Sequence, residues 1–95
     1  MSTKNAVALD LNLAWRVHPQ VSIRPEPFGA LLYHFNNRKL SFLKDRRLLE
    51  VIQVLPDFPT ATLACEAVGI SVDELPKFQR ALATLRDSEI LVCEA

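Results

Sequence analysis

The sequence predicts an α+β domain in which an antiparallel sheet precedes three helices. Apolar residues alternate with polar ones through the first half of the chain, and they recur at helical spacing through the second half. The 95 residues are 49% hydrophobic and 23% charged, a composition typical of folded globular proteins. A chain of this length fits one domain, which we expect over residues 12–95, preceded by a flexible N terminus over residues 1–11.

The first predicted strand spans Trp15 to Ile23. Its apolar residues fall at odd positions and its polar residues at even positions, as in a strand with one buried face. Pro19 lacks an N–H, so the strand should lie at an edge of the sheet or bend at that residue. Pro25 and Pro27 are expected to end it.

The next two strands form a predicted hairpin over Ala30 to Leu43. Asn36-Asn37 tolerates the positive φ of a two-residue type I′ turn, and a loop of these two residues fixes the cross-strand pairs. One face of the hairpin is then apolar and the other mixed, so the register is well specified. The apolar face comprises Leu31, Tyr33, Leu40 and Phe42, and the mixed face comprises Leu32, His34, Lys39 and Ser41.

Two amphipathic helices follow the hairpin. Asp45 is positioned to cap the first helix, which must end before Pro56. Thr60 is positioned to cap the second, and Gly69 stands where a left-handed residue would terminate it.

A third helix begins near the capping box Ser71–Glu74. Pro76 cannot donate a hydrogen bond inside a helix, so we expect one turn up to Leu75 and the main helix from Pro76. Residues 90–92 then form a short extended tail.

Composition argues against several functional classes. Eleven basic residues balance eleven acidic ones, which leaves no net positive field for nucleic acid or an anionic membrane. Two cysteines are too few for a disulfide framework, so a reducing, cytoplasmic location is expected. His18, His34, Cys65 and Cys93 are isolated in the sequence, so no enzyme activity, metal or cofactor is expected.

The last two helices have helix-turn-helix spacing around Gly69, which leaves nucleic-acid binding as an alternative function. The second helix of this pair opens on the acidic pair Asp73-Glu74. Its only candidate DNA contacts are Lys77, Gln79, Arg80 and Arg86.

The strand Lys39–Leu43 is predicted to be the outer strand of the sheet. No proline or bulge residue interrupts it, so an extended peptide can add to it as a further strand. The alternative is that a helix covers this edge.

Three segments carry a resemblance to a known family: Trp15–Val21 (WRVHPQV), Arg24–Phe35 (RPEPFGALLYHF) and Arg38–Leu43 (RKLSFL). In these segments the chain resembles the PqqD-like peptide chaperones, also called recognition elements of ribosomally made, post-translationally modified peptides. Within that family it is most similar to the members of the mycofactocin system. The family commonly has a glycine after the third helix, where this chain has Ser88-Glu89.

The resemblance implies a winged-helix-like fold and a non-catalytic role. It implies that the leader of a precursor peptide adds as a strand between the third strand and the third helix, and is presented to a radical S-adenosylmethionine (SAM) maturase in mycofactocin-type cofactor biosynthesis. The residues so implicated are Lys39, Leu40, Ser41, Phe42, Leu43, Leu75, Phe78, Gln79, Leu82 and Arg86, of which Leu75, Phe78 and Leu82 also belong to the predicted core stripe. Lys44, Arg46 and Arg47 are candidate contacts to the maturase, and the protein is expected to be a monomer or weak homodimer.

Overall fold

The computed structural model describes residues 9–93 and contains two antiparallel sheets and three α-helices. The elements are β1 (Trp15–Val17), β2 (Val21–Glu26), β3 (Gly29–His34), β4 (Lys39–Leu43), α1 (Arg46–Val54), a 3-10 turn (Leu55–Asp57), α2 (Ala61–Val68), α3 (Leu75–Asp87) and β5 (Leu91–Cys93). Strands β2, β3 and β4 form a three-stranded sheet in that order, and β1 pairs with β5 in a two-stranded sheet. The predicted α+β, winged-helix-like order is therefore confirmed.

The predicted first strand is two strands in different sheets. The chain turns after β1, where the Val21 N–H donates to the His18 carbonyl at 2.9 Å, and only β2 joins β3. The predicted extended tail is β5, which gives β1 its partner. Pro25 does not end the strand, because it lies within β2 on the outer strand of the sheet, where a missing N–H costs little.

The hairpin register is confirmed, but the turn is not the predicted type I′. His34 pairs with Lys39 and Leu31 with Phe42, as expected. The loop is a four-residue turn over residues 35–38, and its positive φ of 62° falls at Arg38 and not at either asparagine. The Arg38 N–H donates to the His34 carbonyl at 2.7 Å, and the Asn37 side chain accepts from the Lys39 N–H at 3.0 Å.

The mixed face of the hairpin is the buried one. Leu32 is fully buried and His34 is 1% exposed, whereas Leu40 and Phe42 on the apolar face are 54% and 61% exposed. The buried sheet residues pack on apolar stripes of the helices. These stripes comprise Leu48, Leu49, Val51 and Ile52 of α1, Ala61, Ala64 and Cys65 of α2, and Phe78, Leu82 and Leu85 of α3.

The helix boundaries follow the predicted caps. The Asp45 side chain accepts from the backbone of α1, and the Thr60 side chain accepts from the backbone of α2. Gly69 ends α2 with a φ of 94°. A short turn precedes α3, which begins at Leu75, one residue before Pro76.

The chain after α3 takes a left-handed turn without a glycine. The helix ends at Asp87, and Glu89 takes a left-handed φ of 64°. The Ile90 N–H then donates to the Leu85 carbonyl at 2.9 Å and directs the chain into β5. Glu89 therefore occupies a conformation in which a glycine would be unstrained.

The segment before β1 is docked on the helices. Leu9 is fully buried and Leu11 packs against the core, whereas residues 1–8 lie outside the described residues. The flexibility expected for residues 1–11 stays a prediction. Backbone carbonyls of the segment accept hydrogen bonds from the first turn of α2. The donors are the Thr62 N–H to Leu11 at 3.0 Å and the Ala61 N–H to Leu13 at 3.1 Å.

Candidate functional site

The outer edge of β4 has no strand partner among residues 9–93. β4 pairs with β3 on one side, and no backbone hydrogen bond joins its other side to another described element. Edge strands of natural proteins are usually protected against further pairing by prolines, charges or a covering element. The edge predicted from the sequence is therefore open in this part of the chain.

The opposite edge of the sheet is better protected. β2 contains the exposed Pro25, which cannot donate a hydrogen bond to an added strand. Beside it, the Arg24 Nε lies 2.9 Å from the Glu26 carboxylate. β4 contains neither a proline nor an ion pair among the described residues, so it is the edge suited to strand addition.

Side chains of β4 alternate between the two faces of the sheet. Leu43 is buried and Ser41 half-buried on the inner face, whereas Leu40 and Phe42 are exposed on the outer face. Lys39 is exposed at the start of the strand. All five predicted strand residues thus lie along the open edge, and two of them present apolar surface to solvent.

Leu40 and Phe42 belong to a larger exposed surface, the outer apolar face. The Phe42 ring lies 6.5 Å from that of Phe28, and the Tyr33 ring meets that of Phe35 edge-on at 5.0 Å. The sequence pattern did not identify Phe28 or Phe35 as part of this face. The signal that could have found them is that each is an aromatic residue in an otherwise polar turn. The outer apolar face comprises Phe28, Leu31, Tyr33, Phe35, Leu40 and Phe42.

The α3 residues implicated by resemblance are less accessible than those of β4. Phe78 is 1% exposed and Leu82 is fully buried, because both lie on the helix stripe that packs into the core. Leu75 is half-buried at the first turn. Phe78 and Leu82 are therefore core residues, with almost no surface left for a peptide to contact.

Gln79 and Arg86 already have partners within the chain. The Gln79 side-chain amide donates to the Leu9 carbonyl at 2.6 Å, which ties the N-terminal segment to α3. The half-buried Arg86 lies against the neighbouring Asp87 carboxylate, with an N···O distance of 3.2 Å. Gln79 thus holds the segment before β1 on α3, whereas the Arg86–Asp87 pair is local to the end of that helix.

Arg47 links α1 to the start of α3. Its guanidinium donates two hydrogen bonds to the Glu74 carboxylate, at 3.1 and 2.7 Å, and lies 5.2 Å from the centre of the Phe78 ring. Lys44 and Arg46, the other candidate enzyme contacts, are exposed. Of the three, Arg47 therefore has a structural role that is visible in the fold.

The Arg47–Glu74 pair should make stability depend on pH. The Arg47 hydrogen bonds, followed by the Ser71 N–H, lower the pKa of Glu74 from its ordinary 4.5 to about 2. A carboxyl with a lowered folded-state pKa stabilises the fold above its unfolded-state pKa, and that contribution is lost as the pH falls from about 4.5 towards 2. We expect Glu74→Gln to lower the melting temperature at pH 7. The difference in melting temperature from wild type should become smaller below pH 4.5.

Thermal unfolding of both proteins between pH 7 and pH 3 checks this expectation. Glu26→Gln, which removes the carboxylate that pairs with the exposed Arg24, controls for the loss of one negative charge. If the difference in melting temperature between Glu74→Gln and wild type stayed constant over the whole pH range, the stabilising role of the ionised Glu74 carboxylate would be contradicted.

Within residues 9–93, no group of three metal-ligating side chains occurs. Burial raises the pKa of the Cys65 thiol, which keeps it protonated and weakly nucleophilic. No helix in this range is long and apolar enough to cross a membrane.

The chain is similar to known proteins over most of its length. The model of the peptide chaperone MftB family matches residues 14–92. Peptide chaperone MftB of Mycobacterium tuberculosis is 51% identical over 83 residues, which cover 87% of this chain and 76% of that protein. Peptide chaperone MftB of Mycolicibacterium smegmatis is 49% identical over 94 residues, covering 97% and 92% respectively. No solved structure is significantly similar to the chain.

Proposed function

The chain belongs to the peptide chaperone MftB family, a family of non-catalytic proteins with a peptide partner, and from this premise we propose how it binds. The leader of a ribosomally made precursor peptide adds to the sheet as a further strand along β4. The observation that carries the proposal is the open outer edge of Lys39–Leu43. Backbone hydrogen bonds along this edge supply affinity, and neighbouring side chains supply selectivity.

In this proposal α3 forms the second wall of the site. Leu75, at the start of α3, is half-buried, and Glu74 beside it is held to α1 by Arg47. The ion pair fixes the helix that would form the second wall of the site. Phe78 and Leu82 hold that wall on the core from beneath.

In this proposal the chaperone presents the bound peptide to a radical SAM maturase of mycofactocin-type cofactor biosynthesis in the cytoplasm. All bond making and breaking takes place in the maturase. The chaperone raises the local concentration of a flexible substrate, to a value near millimolar (about 10⁻³ M) for a short tether. The exposed Lys44 and Arg46 are the candidate maturase contacts, and the chaperone acts as a monomer or weak homodimer.

Proline substitution along β4 tests strand addition. Successive N–H groups of a strand point to opposite sides, so of Ser41 and Phe42 only one directs its N–H outward. We expect one of Ser41→Pro and Phe42→Pro to weaken leader binding by at least about tenfold with a native circular dichroism spectrum, because a bond to the peptide is lost. The other should chiefly lower the melting temperature, because it loses a bond to β3.

Isothermal titration with the leader, a scrambled leader and a random DNA duplex measures the binding. Ser41→Ala and Phe42→Thr keep the N–H and measure the loss of each side chain alone, so the effect of each proline is taken relative to its control. Wild-type affinity for the leader in both proline variants would contradict strand addition. Salt-sensitive binding of the duplex, without leader binding, would assign the chain to nucleic-acid recognition.

A further inference from the structure

We propose that the bound peptide is an acidic-flanked extended segment with apolar side chains at alternate positions, selected by Leu40 and Phe42 from the outer face of the sheet. The inference rests on the proposed addition of a peptide strand at β4 and specifies the chemistry of that peptide. It concerns the exposed side of the strand, away from the helices and the core.

The outer face ends abruptly at β4. Leu40 is paired with Tyr33 and Phe42 with Leu31, so each has an apolar neighbour on the β3 side. On the other side no described strand covers them, and they are 54% and 61% exposed. Among residues 9–93, the apolar rows of this face thus stop at an edge that has unpaired backbone groups.

An added strand would continue these rows. In a sheet, residues directly opposite each other on neighbouring strands direct their side chains to the same face, with Cβ atoms about 5 Å apart. Every second side chain of the peptide therefore lies beside Leu40 or Phe42. Apolar peptide side chains at those positions would bury the exposed surface of Leu40 and Phe42, whereas polar side chains would leave that surface in contact with water.

Alternation also determines how the peptide lies on the edge. A shift by one residue would move the apolar side chains of the peptide to the inner face, beside Ser41, and place the intervening polar ones over Leu40 and Phe42. Backbone hydrogen bonds alone cannot distinguish these two registers. The apolar pair on β4 is the feature that favours one of them.

Charge at the two ends of β4 determines the flanks of the peptide. Arg38 and Lys39 lie at the start of the strand and Lys44 and Arg46 beyond its end, all of them exposed. The side chains of these four residues form no ion pair with the described part of the chain. The protein as a whole has no net charge, so this placement is local, and acidic residues on both sides of the apolar segment complement it.

Variants on the outer face test the inference. The double variant Leu40→Thr/Phe42→Thr keeps β-forming side chains and every backbone N–H but removes the apolar surface. We expect it to bind the authentic leader at least about tenfold more weakly than wild type. Leu13→Thr is the matched control: Leu13 is 42% exposed but precedes β1 and lies outside the outer apolar face, so affinity should stay within about twofold.

Designed peptides test the chemistry directly. The probe is a nine-residue peptide with valine and threonine alternating and glutamate at both ends, compared with an all-threonine version and with a version ending in glutamine. We expect wild type to prefer the valine peptide to the all-threonine one by about tenfold, and the double variant to bind the two equally. The preference for glutamate ends should shrink as salt is raised from about 50 to 300 mM.

The outcomes separate this inference from the proposed function. Unchanged leader affinity in the double variant, with binding still lost in the outward-facing proline variant, would overturn the inference and leave strand addition intact. Unchanged affinity in both the threonine and the proline variants would overturn strand addition as well. Equal affinity for glutamate-ended and glutamine-ended peptides at low salt would overturn the acidic flanks.

Discussion

Replacing Gly29 by alanine is expected to destabilise the fold by ~3 kcal/mol or more, enough to unfold a domain of ordinary stability in part at 37 °C. Gly29 begins β3 with a φ of 151°, a conformation that residues with side chains rarely adopt. A Cβ at this position would lie 1.9 Å from the Leu43 carbonyl oxygen and 3.2 Å from the Asp45 nitrogen. Both are backbone atoms at the junction of β4 and α1, so neither can rotate away.

Gly69→Ala is the matched control for this prediction. Gly69 also has a positive φ, of 94°, but a Cβ there would meet no atom within 4 Å. Gly69→Ala should therefore show only the conformational cost, ~1 to 2 kcal/mol or about 4 to 16 °C in melting temperature. Thermal and urea unfolding of the two variants measure the difference. Equal losses in both would show that the approach of β3 to the β4–α1 junction is not sterically limiting.

The parts of the fold that depend on near neighbours were predictable from the sequence. The pairing of Tyr33 with Leu40 follows from centring the turn between Asn36 and Asn37, although the loop is longer than the predicted two residues. The caps at Asp45 and Thr60 follow from side chains within reach of the helix backbone. The end of α2 at Gly69 likewise needs only one residue with access to positive φ. Each of these features is decided within a few residues of the chain.

The parts that depend on distant contacts were not predictable. β1 and β5 come from opposite ends of the chain, and the alternation of residues 15–23 does not reveal that its two halves join different sheets. The N-terminal segment is held by Gln79, whose partner at Leu9 cannot be anticipated from local pattern. Tertiary hydrogen bonds determine both arrangements.

The candidate site also has a part that was predictable from the sequence and a part that was not. The edge position of β4 was predictable from the sequence, because no proline interrupts the strand and the segments that follow it directly are helical. The orientation of the hairpin was not, because apolar content alone favours burying Leu40 and Phe42. The fold instead buries the face that contains His34, and this choice leaves an apolar face at the open edge.

His34→Ala is expected to lower the free energy of unfolding by about 2 to 4 kcal/mol, since it empties a fully buried position and removes hydrogen bonds that connect both sheets. His34 ends β3, and its Nδ1 accepts from the Asn36 N–H at 3.2 Å. Nε2 therefore carries the proton in the neutral ring and donates to the Glu89 carbonyl, 3.1 Å away. The side chain thereby fixes the hairpin turn and the connection from α3 to β5.

A pair of comparison variants separates packing from hydrogen bonding at this residue. His34→Leu keeps the volume and loses both bonds, so it should cost about 1 to 3 kcal/mol, less than alanine. His18→Ala removes the neighbouring ring, 4.6 Å away and only half-buried, and should cost less than either. Urea unfolding gives the three free energies, and hydrogen exchange should show faster exchange in β5 for both His34 variants. Protection of the Leu91–Cys93 amides equal to wild type would contradict the link between the two sheets, because the Glu89 carbonyl positions the residues that lead into β5.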